Sequence, residues 1–195
     1  MTLSSVAGIE YLGYWVTGKG VQPQTKKVNS ILVMQEPTNR KQLRGFIGLV
    51  NYYRDMWCRC SHVLASLSTL TSSKVPWKWG VEQSESFKEA KGIISKNAIL
   101  AFPDFNKEFV IYTDASQYQL GGVITQDGKP LAFYSRKLKE AQINFTTTER
   151  ELLSIVETLK EFRTILLGHK ITVYTNRKNL IYDNLTSPRV LRWRI

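Results

Sequence analysis

Several kinds of residue are scarce in this chain, and each scarcity removes a class of function. There are two cysteines and two histidines in 195 residues. Cys58 and Cys60 stand one residue apart in a helical-looking segment with no second pair, which excludes a zinc-finger spacing and makes a mutual disulfide geometrically poor. They are expected to be structural thiols. His62 and His169 fall in no metal-ligand spacing and read as surface or packing residues. No window approaches the roughly 18 consecutive apolar residues of a membrane helix. The start "MTLSSVAGIE" lacks the charged and apolar regions of a signal peptide, so an intracellular protein is expected. Acids are also scarce, with 16 Asp and Glu against 27 Lys and Arg, a net charge of +11. Such a balance favours polyanionic partners through counterion release, although it also keeps a protein soluble with no further task.

The charge is unevenly spread. Residues 1–100 carry 13 basic against 6 acidic residues and residues 101–195 carry 14 against 10, so the first half reads as a binding surface and the second holds acids with a local task. "IEYLGYWV" at residues 9–16 has strand composition and runs into the turn "TGKG". Val28, Ile31, Leu32 and Val33 suit a short helix closed by Pro37. Thr38 or Asn39 can cap the next helix, whose Leu43, Phe46, Ile47, Val50 and Tyr53 recur at helical spacing. A helix is predicted around residues 60–70, and another has Phe87, Ala90 and Ile94 on one face. Trp77 and Trp79 suit packing under a linker better than nucleotide stacking, which Trp193 could also serve.

From residue 105 the period changes to alternation. Strands are predicted over 108–114, 119–126 and 130–135, the last two joined by Asp127-Gly128, a dipeptide suited to a tight hairpin. Thr146 and Glu149 form a capping box for a helix with the apolar stripe Leu152, Leu153, Val156, Leu159, Phe162 and Leu166, ending at Gly168. A fourth strand, 170–175, can return beside the first. The fold class is α/β, a β-β-β-α-β mixed sheet preceded by a small, mainly helical domain. In this order Asp114 and residue 176 emerge side by side at one end of the sheet, and Glu151 on the first turn of the helix can point to the same place. Carboxylates gathered there suit divalent ions. Two such ions activate a water and stabilise a leaving oxygen in phosphodiester hydrolysis.

"TDASQYQLGGVITQDGKPLAFYSRKLKEAQINFTTTERELLSIVETLKEFR" followed by "VYTNRKNL" resembles the ribonuclease H domain of reverse transcriptases from Ty3/gypsy-type long-terminal-repeat retrotransposons. Upstream, "IEYLGYWVTGKG" and "RKQLRGFIGLVNYYRDMW" are similar to the end of the palm and to the thumb of the same polyproteins. The resemblance implies a ribonuclease H-like fold over 105–195, a connecting segment over 76–104, a thumb over 24–75 and a palm-derived hairpin over 1–23. It also implies a piece of a parent polyprotein, Mg²⁺ as cofactor and an RNA/DNA hybrid as partner, in cytoplasmic particles or the nucleus. Asp114 matches the first catalytic aspartate and Glu151 the helix glutamate. Asn176 stands where the family has its third aspartate, with Arg177 in place of a histidine. The fourth aspartate of the family is expected beyond Ile195.

Other roles compete for these residues. Asp114 could be an ordinary strand-end residue, Glu149 is better explained by the cap, and Asn176 could itself cap a helix. Lys26, Lys27, Arg40, Lys41, Arg44, Arg54 and Arg59 could be a solvated helical face. The thumb resemblance instead implies contact with a duplex backbone, which gives affinity without sequence reading. The sequence therefore gives two expectations. One is a retrotransposon-derived nuclease whose hybrid cleavage is impaired at Asn176; the other is a non-catalytic nucleic-acid-binding or interaction module.

Overall fold

The computed structural model of the protein describes residues 8–57, 60–96 and 99–175. The chain divides between Phe102 and Pro103 into two units. In the first, the aromatic run at residues 9–16 forms two strands where one was expected. Leu12 and Gly13 take φ angles of 44° and 80°, which reverses the chain between β1 (Ile9–Tyr11) and β2 (Tyr14–Thr17). A left-handed leucine is not readable from composition, since that region usually selects glycine or asparagine. The third strand, β3 (Gly20–Pro23), completes an antiparallel sheet in the order β1-β2-β3.

The helices follow the predicted periodicity more closely. Of α1 (Thr25–Leu32), Val28 and Ile31 are buried. Asn39 caps α2 (Arg40–Tyr52) by accepting from the Gln42 amide at 3.0 Å, and Leu43, Phe46 and Val50 are buried. The helix expected around 60–70 is interrupted at Leu64 into α3 (Cys60–Val63) and α4 (Ala65–Thr69). In α5 (Val81–Ser95) the predicted face of Phe87, Ala90 and Ile94 is buried, with the Phe87 ring 4.5 Å from that of Phe46. Trp77 and Trp79 stack on each other, and the Trp79 indole donates to Glu36 Oε2 and to Ser84 Oγ, so both are packing residues as expected. Burial pushes the Cys60 thiol up to about 11, which keeps it an unreactive thiol at neutral pH. Cys58 lies outside the described residues.

Three tyrosines bind the β1–β2 reversal to the end of α2. Tyr53 donates its hydroxyl to the Gly13 carbonyl at 2.7 Å, Tyr52 donates to the Leu12 carbonyl, and Tyr14 donates to the Tyr52 carbonyl at 3.2 Å. Burial, and then the neighbouring Tyr52 and Tyr14, push the Tyr53 hydroxyl from 10.0 up to about 12. A raised folded value means this stabilisation is complete below pH 10 and is lost as pH rises toward 12. Tyr53→Phe should cost about 1 kcal/mol at neutral pH. It should also flatten the loss of stability between those two pH values. Urea unfolding at pH 7 and pH 11 checks both; an undiminished alkaline loss in the variant would show that another group is responsible.

The second unit is the predicted sheet. β4 (Phe109–Ala115), β5 (Gln119–Gln126) and β6 (Lys129–Lys137) form an antiparallel meander, and β7 (Ile171–Thr175) returns parallel to β4, giving the order β6-β5-β4-β7. Asp127 and Gly128, with φ of 51° and 72°, make the hairpin turn their sequence demands. An unpredicted single turn, α6 (Glu140–Ile143), precedes α7 (Thr147–Glu161). The helix expected to run to Gly168 breaks at Phe162 and resumes as α8 (Arg163–Leu166). His169 packs its ring 5.1 Å from Phe105 and 5.7 Å from Phe109, a packing role as expected.

The face of α7 departs most from the sequence reading. Leu153 and Val156 are buried, but Leu152 and Leu159 are only half-buried. Polar Glu149, Glu151, Ser154 and Thr158 are buried beside the two apolar residues. The helix therefore meets the sheet partly through a polar seam.

Candidate functional site

The position of Asp114 follows from the strand register. Thr113 pairs with Gly122 of β5 and with Thr175 of β7, and Asp114 pairs with Gly121. Paired residues share a face and successive ones alternate, so Thr113, Gly122 and Thr175 lie on one face and Asp114 with Tyr112 on the other. A Cβ on Gly122 would fall 2.5 Å from Thr158 Oγ1, which identifies the Gly122 face as the one that carries α7. Asp114 thus lies exposed near the end of β4 on the opposite face, where Tyr112 and Tyr174 stack with centroids 5.1 Å apart.

Glu151 lies on the first turns of α7, one turn before the residue that meets the Asp114 level of the sheet, and only 3% of its surface is exposed. The start of α7 is fixed by the predicted capping box. Glu149 accepts from the Thr146 amide at 2.8 Å, and Thr146 Oγ1 accepts from the Glu149 amide at 3.2 Å. That engagement gives Glu149 its structural task and leaves Glu151 as the buried carboxylate outside the cap. One turn on, Ser154 Oγ lies 2.8 Å from the Gly121 carbonyl and 3.1 Å from the Asp114 carbonyl. Arg150 donates to the Gln117 carbonyl, just after β4, at 3.4 Å. The helix that carries Glu151 is therefore bonded to the backbone of Asp114 itself.

Two carboxylates are hard oxygen donors and fit Mg²⁺ in type. In number they fall short: among the described residues, no group of three His, Cys, Asp or Glu residues could hold a metal ion. Asn176, the third position of the sequence reading, lies outside the described residues. Sequence reasoning missed Ser154, a polar residue between Leu153 and Val156 of the apolar stripe. The adjacent glycines 121 and 122 inside a strand were the available signal, because strand glycines mark close backbone approach.

The basic cluster is divided. Lys26, Lys27, Lys41 and Arg44 are exposed, while Arg40 is half-buried. Arg40 donates from Nε to the Ser72 carbonyl at 3.2 Å and also to the Val75 carbonyl, and Arg44 donates to the Thr71 carbonyl at 2.6 Å. These two guanidiniums hold the loop after α4. Arg54 pairs with Asp55 at 3.2 Å, and Arg59 lies outside the described residues.

Residues 79–173 match the family model of the RNase H-like domain found in reverse transcriptase. The chain is 35% identical over 189 residues to the retrovirus-related Pol polyprotein from transposon 297 of Drosophila melanogaster. The chain carries a reverse-transcriptase RNase H-like domain, and its homologues are Ty3/gypsy-type retrotransposon polyproteins. Tf2-3 polyprotein of Schizosaccharomyces pombe is another relative, 32% identical over 199 residues. The chain is covered over 95% and 96% of its length in those comparisons but spans only 18% and 15% of the polyproteins themselves. Its fold is similar to that of part of the foamy viral protease-reverse transcriptase, solved in complex with RNA/DNA hybrid, with a TM-score of 0.81 at 22% identity over 96% of this chain and 27% of that one. A second structure of the foamy viral enzyme, with double-stranded DNA, gives 0.82 at 23% identity, over 95% of this chain and 42% of that one.

Proposed function

We propose that this chain carries a ribonuclease H-like site for the RNA strand of RNA/DNA hybrids, weakened at its third ligand. The observation that supports it most is the bonding of α7 to the Asp114 backbone through Ser154, with Glu151 buried one turn away. Asp114 and Glu151 would hold Mg²⁺. When bound, the ion supplies an activated water and charge stabilisation at the phosphodiester. Exposed Asp114 presents its carboxylate to solvent and substrate. Glu151, on a capped helix packed into the sheet, brings a second carboxyl group whose position costs little further ordering. Asn176 offers a carbonyl oxygen without charge, and Arg177 adds a positive charge next to it in sequence. Replacing a ligand should cost more than the roughly 10–100-fold typical of outer-shell changes. Incubating the chain with labelled hybrid and Mg²⁺ tests the reading: slow cleavage or none is expected, and robust turnover would contradict the impairment.

A second reading, a non-catalytic nucleic-acid-binding module, is favoured by the exposed Lys26, Lys27 and Lys41 and by the net charge of +11. It expects binding to hybrid that needs no Mg²⁺ and falls steeply with added salt. Binding unaffected by salt would remove it.

A further inference from the structure

We propose that Ser154 is the positioning residue of the site, the contact that sets Glu151 against the Asp114 end of β4. The proposal rests on reading Asp114 and Glu151 as the ion-holding pair. Ser154 is wholly buried in the middle of α7. A helical serine in that position ordinarily bonds back to the carbonyl four residues earlier. This one instead turns to the sheet, where its single hydroxyl proton is shared between the Gly121 carbonyl at 2.8 Å and the Asp114 carbonyl at 3.1 Å. Those two residues are register partners, so one side chain ties the helix to both central strands at the same level.

Glu151 lies three residues before Ser154 on the same helix face, about 4.5 Å along the axis. A shift of Ser154 on the sheet is thus passed to Glu151 through rigid helix. Thr158, one turn further on, seats against Gly122 by shape alone, and among the described residues its hydroxyl has no hydrogen-bond partner. Leu153 packs on Leu120 of β5, a contact without directional preference. Directional bonds between α7 and the sheet end are the two short ones of Ser154 and the longer one from Arg150 to the Gln117 carbonyl at 3.4 Å, and of these two residues only Ser154 reaches both central strands.

The test compares Ser154→Ala and Thr158→Ala in the 195-residue chain, by amide hydrogen exchange and by Mn²⁺ titration. Ser154→Ala should speed exchange at Asp114 and Gly121 about tenfold relative to Ile111. It should also weaken Mn²⁺ binding about tenfold. Thr158→Ala should change exchange uniformly across β4 and leave the ion affinity unaltered. Ser154→Cys, close in volume with a weak S–H donor, should give the same local signature and serves where the alanine variant fails to fold. Exchange at Asp114 that moves only in step with Ile111 would reduce Ser154 to a packing residue and overturn the proposal, as would Mn²⁺ affinity indifferent to both Ser154 variants. If the unaltered chain binds no Mn²⁺ while the local exchange effect is present, the ion-holding reading of the pair fails and the seat itself stands.

Discussion

Gly122→Ala should destabilise the sheet-and-helix unit by about 2–3 kcal/mol. The added Cβ would lie 2.5 Å from Thr158 Oγ1, 2.9 Å from its Cγ2 and 3.3 Å from its Cβ. Thr158 has no exposed surface and is branched at Cβ, so it has few rotamers into which it can retreat. Relief requires α7 to lift from β5, which strains the bonds of Ser154 to Gly121 and Asp114. The account makes a second demand on the same pair of positions. Thr158→Ala alone should be destabilising, yet in the double variant it should return about 1–2 kcal/mol of the Gly122→Ala loss, the coupling expected of residues in contact. Chemical denaturation of the four chains measures the cycle. Strict additivity would show that the helix does not seat where the glycine permits it.

Asn176→Asp should raise Mg²⁺ affinity by at least about tenfold. The substitution exchanges a neutral amide oxygen for a charged carboxylate at the position where the family resemblance leads one to expect an aspartate, while Asp114 and Glu151 remain as they are. Structural support extends as far as Thr175, the last described residue of β7, which pairs with Thr113 directly before Asp114. Calorimetric titration of both chains with Mg²⁺ gives the comparison, and Asp114→Asn in the Asn176→Asp background should abolish the gain. Equal affinities before and after Asn176→Asp would mean that residue 176 does not address the ion.

Much of the second unit was legible because its signals are local. Asp127-Gly128 supplies the φ angles of the hairpin, and Thr146 with Glu149 forms the cap that the spacing demands. The return of β7 beside β4 follows from strand order. The losses have physical causes too. Leu12 takes a left-handed conformation because the Tyr52 and Tyr53 hydroxyls hold the Leu12 and Gly13 carbonyls from 40 residues away, a tertiary constraint invisible in the run itself. The polar seam of α7 escaped the periodicity because an apolar stripe is sought by residue type, whereas burial of Ser154 and Thr158 depends on glycines in a strand far earlier in the chain. Arg40 and Arg44 could be recognised as basic but not as loop anchors, since the Thr71, Ser72 and Val75 carbonyls they hold are distant in sequence.

On the proposed reading, the ribonuclease H-like frame carries Asp114, Ser154 and Glu151 at one end of the sheet, and the site is weakened at residue 176. The direct measurement is cleavage of the RNA strand of an end-labelled RNA/DNA hybrid by the chain in Mg²⁺, side by side with Asn176→Asp. The account predicts slow or undetectable cleavage by the unaltered chain and a gain on substitution. Robust Mg²⁺-dependent turnover by the unaltered chain, undiminished relative to the aspartate variant, would contradict it.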